Sequence, residues 1–161
     1  MFSQQMKPVK VSDHLIDEIR KDVWQPFMES YRDLDSEKFK SIHNSNILRI
    51  TIDANKIENG SPYLNNLGNF LQQVKKMNRQ VAIRFSIIST AIGADKAYQT
   101  EYYCFLSRGS DKESFAPRGY GFFNVVLGKE NGKWKIEMDA DKSIQIKEEK
   151  FRESGVIYEL N

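Results

Sequence analysis

The sequence predicts an α+β fold, a cone-shaped domain whose N-terminal helices pack on a strongly curved antiparallel sheet. Three observations carry this. Apolar residues in the first part recur at spacings of three and four, the period of a helix with one buried stripe. From Gln80 onward the chain runs in long β-type stretches separated by short polar breaks. Those stretches are about 11 residues long, where strands usually run to roughly five or six. Long strands coil as they twist, and a curled sheet with helices on its concave side encloses a hollow.

Ser12 can cap a helix, and Leu15, Ile16, Ile19, Val23, Phe27 and Tyr31 then follow at helical spacing. This predicts a helix over residues 12–33, with residues 1–11 as a flexible N-terminus. Pro26 has no N–H for the carbonyl of Asp22, so a kink or break is expected there. Asp35 caps a short second helix carrying Phe39 and Ile42. His43-Asn44-Ser45-Asn46 reads as a polar break, and Ile47-Leu48-Arg49-Ile50-Thr51-Ile52 as a strand. The turn Asn59-Gly60-Ser61-Pro62 precedes a helix over 63–78 that carries Leu64, Leu67, Phe70, Leu71, Val74 and Met77. Strands follow over 80–91, 96–107, 118–128 and 133–141, and their short connections make them antiparallel. In the last of these, Trp134, Ile136, Met138 and Ala140 alternate with Lys133, Lys135, Glu137 and Asp139, so one face is buried and the other is wet or at an interface. The domain is taken as 12–141. Residues 142–161, with Lys147-Glu148-Glu149-Lys150 and Val156-Ile157-Tyr158, form a C-terminal extension without an assigned place.

Composition narrows the function classes. Of 161 residues, 40% are hydrophobic and 29% charged, as in ordinary folded domains. Lys and Arg number 24 against 22 Asp and Glu, too small and too dispersed a surplus to draw nucleic acid or an anionic membrane, and neither is expected as a partner. No stretch approaches the roughly 20 apolar residues of a membrane span. Cys104 is the single cysteine, within the apolar run Tyr102-Tyr103-Cys104-Phe105-Leu106, and reads as a buried, inert thiol. His14 and His43 belong to no metal-spacing motif, and no phosphate-binding or dinucleotide glycine loop occurs, so no metal or cofactor is expected. Gly119-Tyr120-Gly121 is read as easing a bend or close packing. Phe2-Ser3-Gln4-Gln5 resembles the residues that flank signal-peptide cleavage sites in exported bacterial proteins. Two locations therefore stay open, exported or periplasmic on that reading, and cytoplasmic otherwise.

Two segments resemble the nuclear transport factor 2-like superfamily, with its SnoaL-like and ketosteroid-isomerase-like branches. Phe27-Met28-Glu29-Ser30-Tyr31-Arg32-Asp33-Leu34-Asp35, followed by Phe39, looks like the family's first helix and the small turn after it. Asn131-Gly132-Lys133-Trp134-Lys135-Ile136 looks like its glycine-tryptophan-basic-isoleucine last strand. The resemblance covers about residues 13–141. It implies a cone of three helices and a bent sheet, a pocket between them, and frequent dimerisation through the outer sheet face. Its enzymatic branches place a carboxylate base inside the cone, sometimes with a tyrosine donor, and many members have no catalytic residues.

Candidate site residues follow from that chemistry. A proton-transfer site needs a carboxylate in an apolar cavity and a donor at the substrate oxygen. Asp53 and Asp139 are the candidate bases, and Tyr102 and Tyr31 the candidate donors. Against this, Asp139 alternates away from Trp134 and Asp53 lies in a turn-like stretch. Arg84 and Arg118 either orient a carboxylate ligand or pair with an acid such as Glu101 on the outer face. Trp24, Phe27, Tyr31, Tyr63, Tyr102, Tyr120, Phe122 and Trp134 are the candidate pocket lining, or plain core. The expected function is a non-catalytic pocket protein for a small apolar or amphipathic ligand, working as a homodimer. Alternatives are an isomerase, cyclase or dehydratase using a buried Asp and Tyr, and a protein-interaction module that uses the dimer face or the tail.

Overall fold

A computed structural model describes residues 8–160; Phe2-Ser3-Gln4-Gln5 lies outside them. Helix α1 spans Pro8–Ile19, so Ser12 lies within the helix and does not cap it. At Pro26 the helical path continues through one wide π turn, Arg20–Trp24, in which the N–H of Gln25 reaches the carbonyl of Arg20. That widened turn accommodates the proline ring where a kink or break was expected, and α2 (Gln25–Asp33) resumes with Pro26 in its first turn. The same turn carries Asp22, whose carboxylate accepts the N–H of Trp134 at 3.1 Å and ties the helix to the last long strand. Leu34 closes α2 in the left-handed conformation, and the Asp35 carboxylate caps α3 (Ser36–Ser41) by accepting the Lys38 N–H at 3.0 Å.

Strand β1 (His43–Thr51) includes the stretch read as a polar break. It survives as strand because it lies alongside β6, although the register shifts between His43 and Leu48. A short turn, Ile52–Ala54, leads to β2 (Lys56–Asn59), and α4 (Ser61–Lys76) begins two residues ahead of expectation with Pro62 in its first turn. Four long strands follow, β3 (Gln80–Ile92), β4 (Lys96–Arg108), β5 (Ala116–Glu130) and β6 (Lys133–Ile144). With a short last strand, β7 (Val156–Tyr158), the sheet order is β2-β1-β6-β5-β4-β3-β7. One pair, β1 with β6, is parallel, which the whole intervening chain is long enough to connect. The fold class is α+β, with the helices that precede β3 on the concave face of a curved, unclosed sheet.

The core lies between them. Trp24 packs on Phe85 at 4.8 Å between ring centroids, and Phe27 meets both Phe39 and Phe85 at 5.1 Å, so the π turn and α2 are seated on β3 by aromatic contacts. The C-terminal residues fold back on their own domain. Helix α5 (Glu148–Ser154) lies against the outer face, where Phe151 is fully buried with Cys104 and Leu106, and β7 (Val156–Tyr158) pairs with β3 at the sheet edge. Arg84 and the Tyr120 hydroxyl both donate to Glu148, at 3.0 and 2.8 Å. Burial raises the Glu148 carboxyl, but Arg84, Tyr120 and Arg152 outweigh it and hold it down to about 2.

Phe151→Ala should therefore destabilise the protein by about 3 kcal/mol or more in urea denaturation. Val156→Ala, at a side chain 63% exposed, should stay within about 0.5 kcal/mol of wild type. Equal effects at the two positions would mean that the tail is not docked.

Candidate functional site

The site starts from one extra residue in β6. Trp134 and Ile136 point into the core, as their alternation requires. Leu127 then pairs with Ile136 while Val126 pairs with Met138, so Glu137 has no partner and the strand bulges. Beyond the bulge the faces exchange. Asp139 stands opposite Val125 and Asp141 opposite Phe123, both on the concave side. The expectation that Asp139 faces away from Trp134 is thus overturned, because strict alternation fails at a bulge. Gly128 makes room for it, since a Cβ there would overlap the Glu137 carboxylate, which Lys96 holds at 2.7 Å.

The neighbouring strand supplies a cation. Arg49 pairs in register with Asp139, with Leu48 and Ile50 turned to the outer face. One guanidinium nitrogen pairs with Asp139, and Nη2 donates to Asp141 Oδ2 at 2.8 Å. Arg49 also lies 5.2 Å over the Tyr63 ring, and the Tyr63 hydroxyl donates to Asp139 Oδ2 at 3.3 Å. Burial pushes the Asp139 carboxyl up to about 6, although Arg49 pulls the other way. Burial likewise raises the Tyr31 and Tyr63 phenols, so both stay protonated. Asp141 Oδ1 is buried without a hydrogen-bond partner. The Tyr103 hydroxyl lies near Asp141, and its pKa is raised by burial first and by that carboxylate second. Deeper in the core, Glu101 is fully buried with both oxygens unpartnered, and burial pushes its carboxyl well above the usual carboxylate range.

Above this network lies a cavity of about 360 Å³. Phe27 and Tyr31 from α2, Tyr63, Leu67 and Phe70 from α4, and Ile83, Tyr103, Phe105 and Phe123 from the sheet form its apolar walls, while Arg49, Asp141, Arg118 and Ser143 are its polar side chains. Gly121 is needed for this wall: it pairs with Tyr103, and a Cβ at that position would overlap the Tyr103 ring.

Of the residues singled out from sequence, Phe27, Tyr31 and Tyr63 border the cavity; Tyr120 is next to it beside Gly119, but its ring packs on Phe151 at 5.7 Å on the outer face. Trp24 and Trp134 are sealed in the core, and the Trp24 indole N–H donates to Gln99 at 2.8 Å. Tyr102 and Phe122 stand on the outer face, with ring centroids 5.8 Å apart, because they alternate with Tyr103 and Phe123. Asp53 is exposed in the turn after β1 and accepts the Ser143 N–H at 2.8 Å. Asp139 is buried beneath Arg49 and Tyr63 and does not border the cavity. Arg84 pairs with Glu148 instead of Glu101, which is on the opposite face. Arg118 is exposed at the rim, its Nε donating to Ser107 at 2.7 Å. His43 is buried, Nδ1 at 2.9 Å from the Phe39 carbonyl, and burial lowers it to about 4, so it is neutral. Among the described residues, no group of three or more histidine, cysteine or carboxylate side chains is gathered to hold a metal. Arg49, Tyr103 and Phe123 were missed as site residues. The signal for Arg49 was a lone charge inside a β-branched strand.

No family model and no curated protein matches the chain. Solved structures do. A protein of unknown function from Mycobacterium tuberculosis superposes with a TM-score of 0.68 at 13% identity, over 92% of this chain and 82% of that one. A putative scytalone dehydratase from Novosphingobium aromaticivorans gives 0.65 at 13% identity, over 83% and 89%. A nuclear transport factor 2-like protein of unknown function from Shewanella oneidensis gives 0.59 at 16%, over 78% and 97%. The chain has the nuclear transport factor 2-like cone fold. At these identities the likeness is one of fold, and activity has to be argued from the site.

Because the folded pKa of Asp139 lies above its ordinary value, its contribution to stability is full below about pH 4 and is lost as pH rises through 6. Wild type should therefore lose about 3 kcal/mol relative to Asp139→Asn between those limits, measured by urea denaturation across the range. A difference independent of pH would mean that Asp139 titrates as an exposed carboxylate.

Proposed function

We propose that the chain is a small-molecule-binding protein that holds an apolar or amphipathic molecule in the cavity between the helices and the sheet, without chemistry of its own. The single observation behind this is the cavity of about 360 Å³ with aromatic walls, within the roughly 300–1,000 Å³ typical of small-molecule sites. The carboxylate with the raised pKa supports binding over catalysis by its position, since Arg49 and Tyr63 engage Asp139 and it does not border the cavity. Thermal-shift screening against steroids, polyketides, fatty acids and aromatic acids is the direct test. A ligand present at about 100 times its Kd should raise the Tm by about 5–10 °C. Gly121→Val, which drives a side chain into the Tyr103 ring, should abolish that shift while the protein stays folded. A shift that survives Gly121→Val would put the ligand elsewhere.

A second reading has one observation in its favour. Asp139 has a pKa of about 6 and a tyrosine on its carboxylate, the pairing that isomerase, cyclase or dehydratase chemistry uses, and one of the structures with this fold is described as a putative scytalone dehydratase. On that reading Asp139→Asn stops turnover of a bound substrate. On the binding reading it leaves ligand affinity within a few-fold of wild type.

We also propose a homodimer formed through the outer sheet face. Cross-strand pairing there sets Leu48 beside Met138, Met138 beside Val126, and Val126 beside Tyr98, with Ile57 adjoining. Leu48, Tyr98 and Ile57 are 37%, 40% and 69% exposed, a continuous apolar row that a partner copy would cover. Sedimentation should give twice the chain mass for wild type and a single chain mass for Ile57→Asp combined with Tyr98→Asp. A monomeric wild type would remove the proposal. The tail is an unsuitable handle for a foreign chain, since Phe151 is already buried against its own sheet.

A further inference from the structure

The polarity of the cavity floor narrows the ligand. Arg49 is the only cation among the described side chains at the floor, and two carboxylates already engage it, Asp139 and Asp141. With Asp139 ionised, the three groups together carry one net negative charge. Asp141 borders the cavity with one oxygen on Arg49 and the other without a hydrogen-bond partner, the Tyr103 hydroxyl lying nearby, so acceptor capacity remains for a further donor. The tyrosine hydroxyl nearest Asp139 is likewise committed, its proton directed to that carboxylate. An incoming carboxylate would meet Asp141 with no free cation beside it. The other cation of the lining, Arg118, is exposed, where solvent screens its charge, and only its Nε is engaged, by Ser107.

We infer that the cavity takes its ligand donor end first: an aromatic or alicyclic body whose buried end is an ammonium or hydroxyl group directed at Asp141. This rests on the small-molecule-binding reading above and specifies the chemistry of its ligand. The body is held by the aromatic walls, and the donor end satisfies the carboxylate that Arg49 leaves half used.

The test uses the full chain and four molecules with one body, 2-methylnaphthalene, 2-naphthylmethanol, 2-naphthylmethylamine and 2-naphthoate, titrated by calorimetry at pH 7. The amine and the alcohol should bind at least about tenfold more tightly than the carboxylate, the size expected for one hydrogen bond to a charged acceptor. Asp141→Asn should remove most of the amine's advantage and leave 2-methylnaphthalene unchanged. If 2-methylnaphthalene binds but the carboxylate matches or exceeds the amine, or if the wild-type ranking survives Asp141→Asn, the inference is wrong while the pocket stands. If none of the four binds, both fall. The wild-type ranking decides the question even if Asp141→Asn does not fold.

Discussion

An ion network enclosed on the concave face constrains much of what surrounds it. Arg49 and Asp139 are both withdrawn from water, and charges in such a place are tolerated only when paired and hydrogen-bonded. That requirement links β1 to β6 through Arg49 and the two aspartates, and α4 to β6 through Tyr63. It also accounts for the orientation of β1. With Arg49 turned inward, Leu48 and Ile50 are turned outward, the reverse of what hydrophobicity alone would choose. An apolar outer face and a polar floor to the cavity are therefore two sides of one strand.

Glycines let side chains complete the arrangement. Gly128 leaves space for the Glu137 carboxylate at the bulge, and the bulge turns Asp139 and Asp141 inward. Gly121 leaves space for the Tyr103 ring, which then packs on Phe123 at 5.6 Å and forms part of the wall above Asp141. In both cases the missing Cβ matters because a neighbouring side chain occupies its place, with no demand on the glycine's backbone angles.

The outer face is divided between two roles. Toward one end, α5 covers Cys104, Leu106 and Tyr120 with Phe151, and the Arg84–Glu148 pair anchors it. Burial raises the Cys104 thiol further, so the single cysteine is a packing residue. Toward the other end the row from Leu48 to Tyr98 is left uncovered by the described residues. The C-terminal residues thus cover the part of the outer face that carries Cys104, Leu106 and Tyr120.

The fold was largely legible in the sequence because its signals are local. Helical spacing from Leu15 to Tyr31, the Asp35 cap, the turn before Tyr63 and the long β-type runs each depend on residues close in the chain, and each corresponds to an element of the structure. The family-like segments around Tyr31 and Trp134 pointed to the cone for the same reason. The candidate site was much less legible. Asp139 was assigned to the wrong face because a bulge depends on register with β5, which no local pattern records. Arg49 was passed over because its value lies in two aspartates 90 and 92 positions away. Tyr102 and Tyr103 are adjacent and chemically identical, and only the sheet's register sends the second into the cavity and the first to the outer face. The sequence by itself determined a cone of helices on a curled sheet with an aromatic interior. Which carboxylates face the hollow, and which cation neutralises them, was decided by tertiary structure, because those contacts join strands that only folding brings side by side.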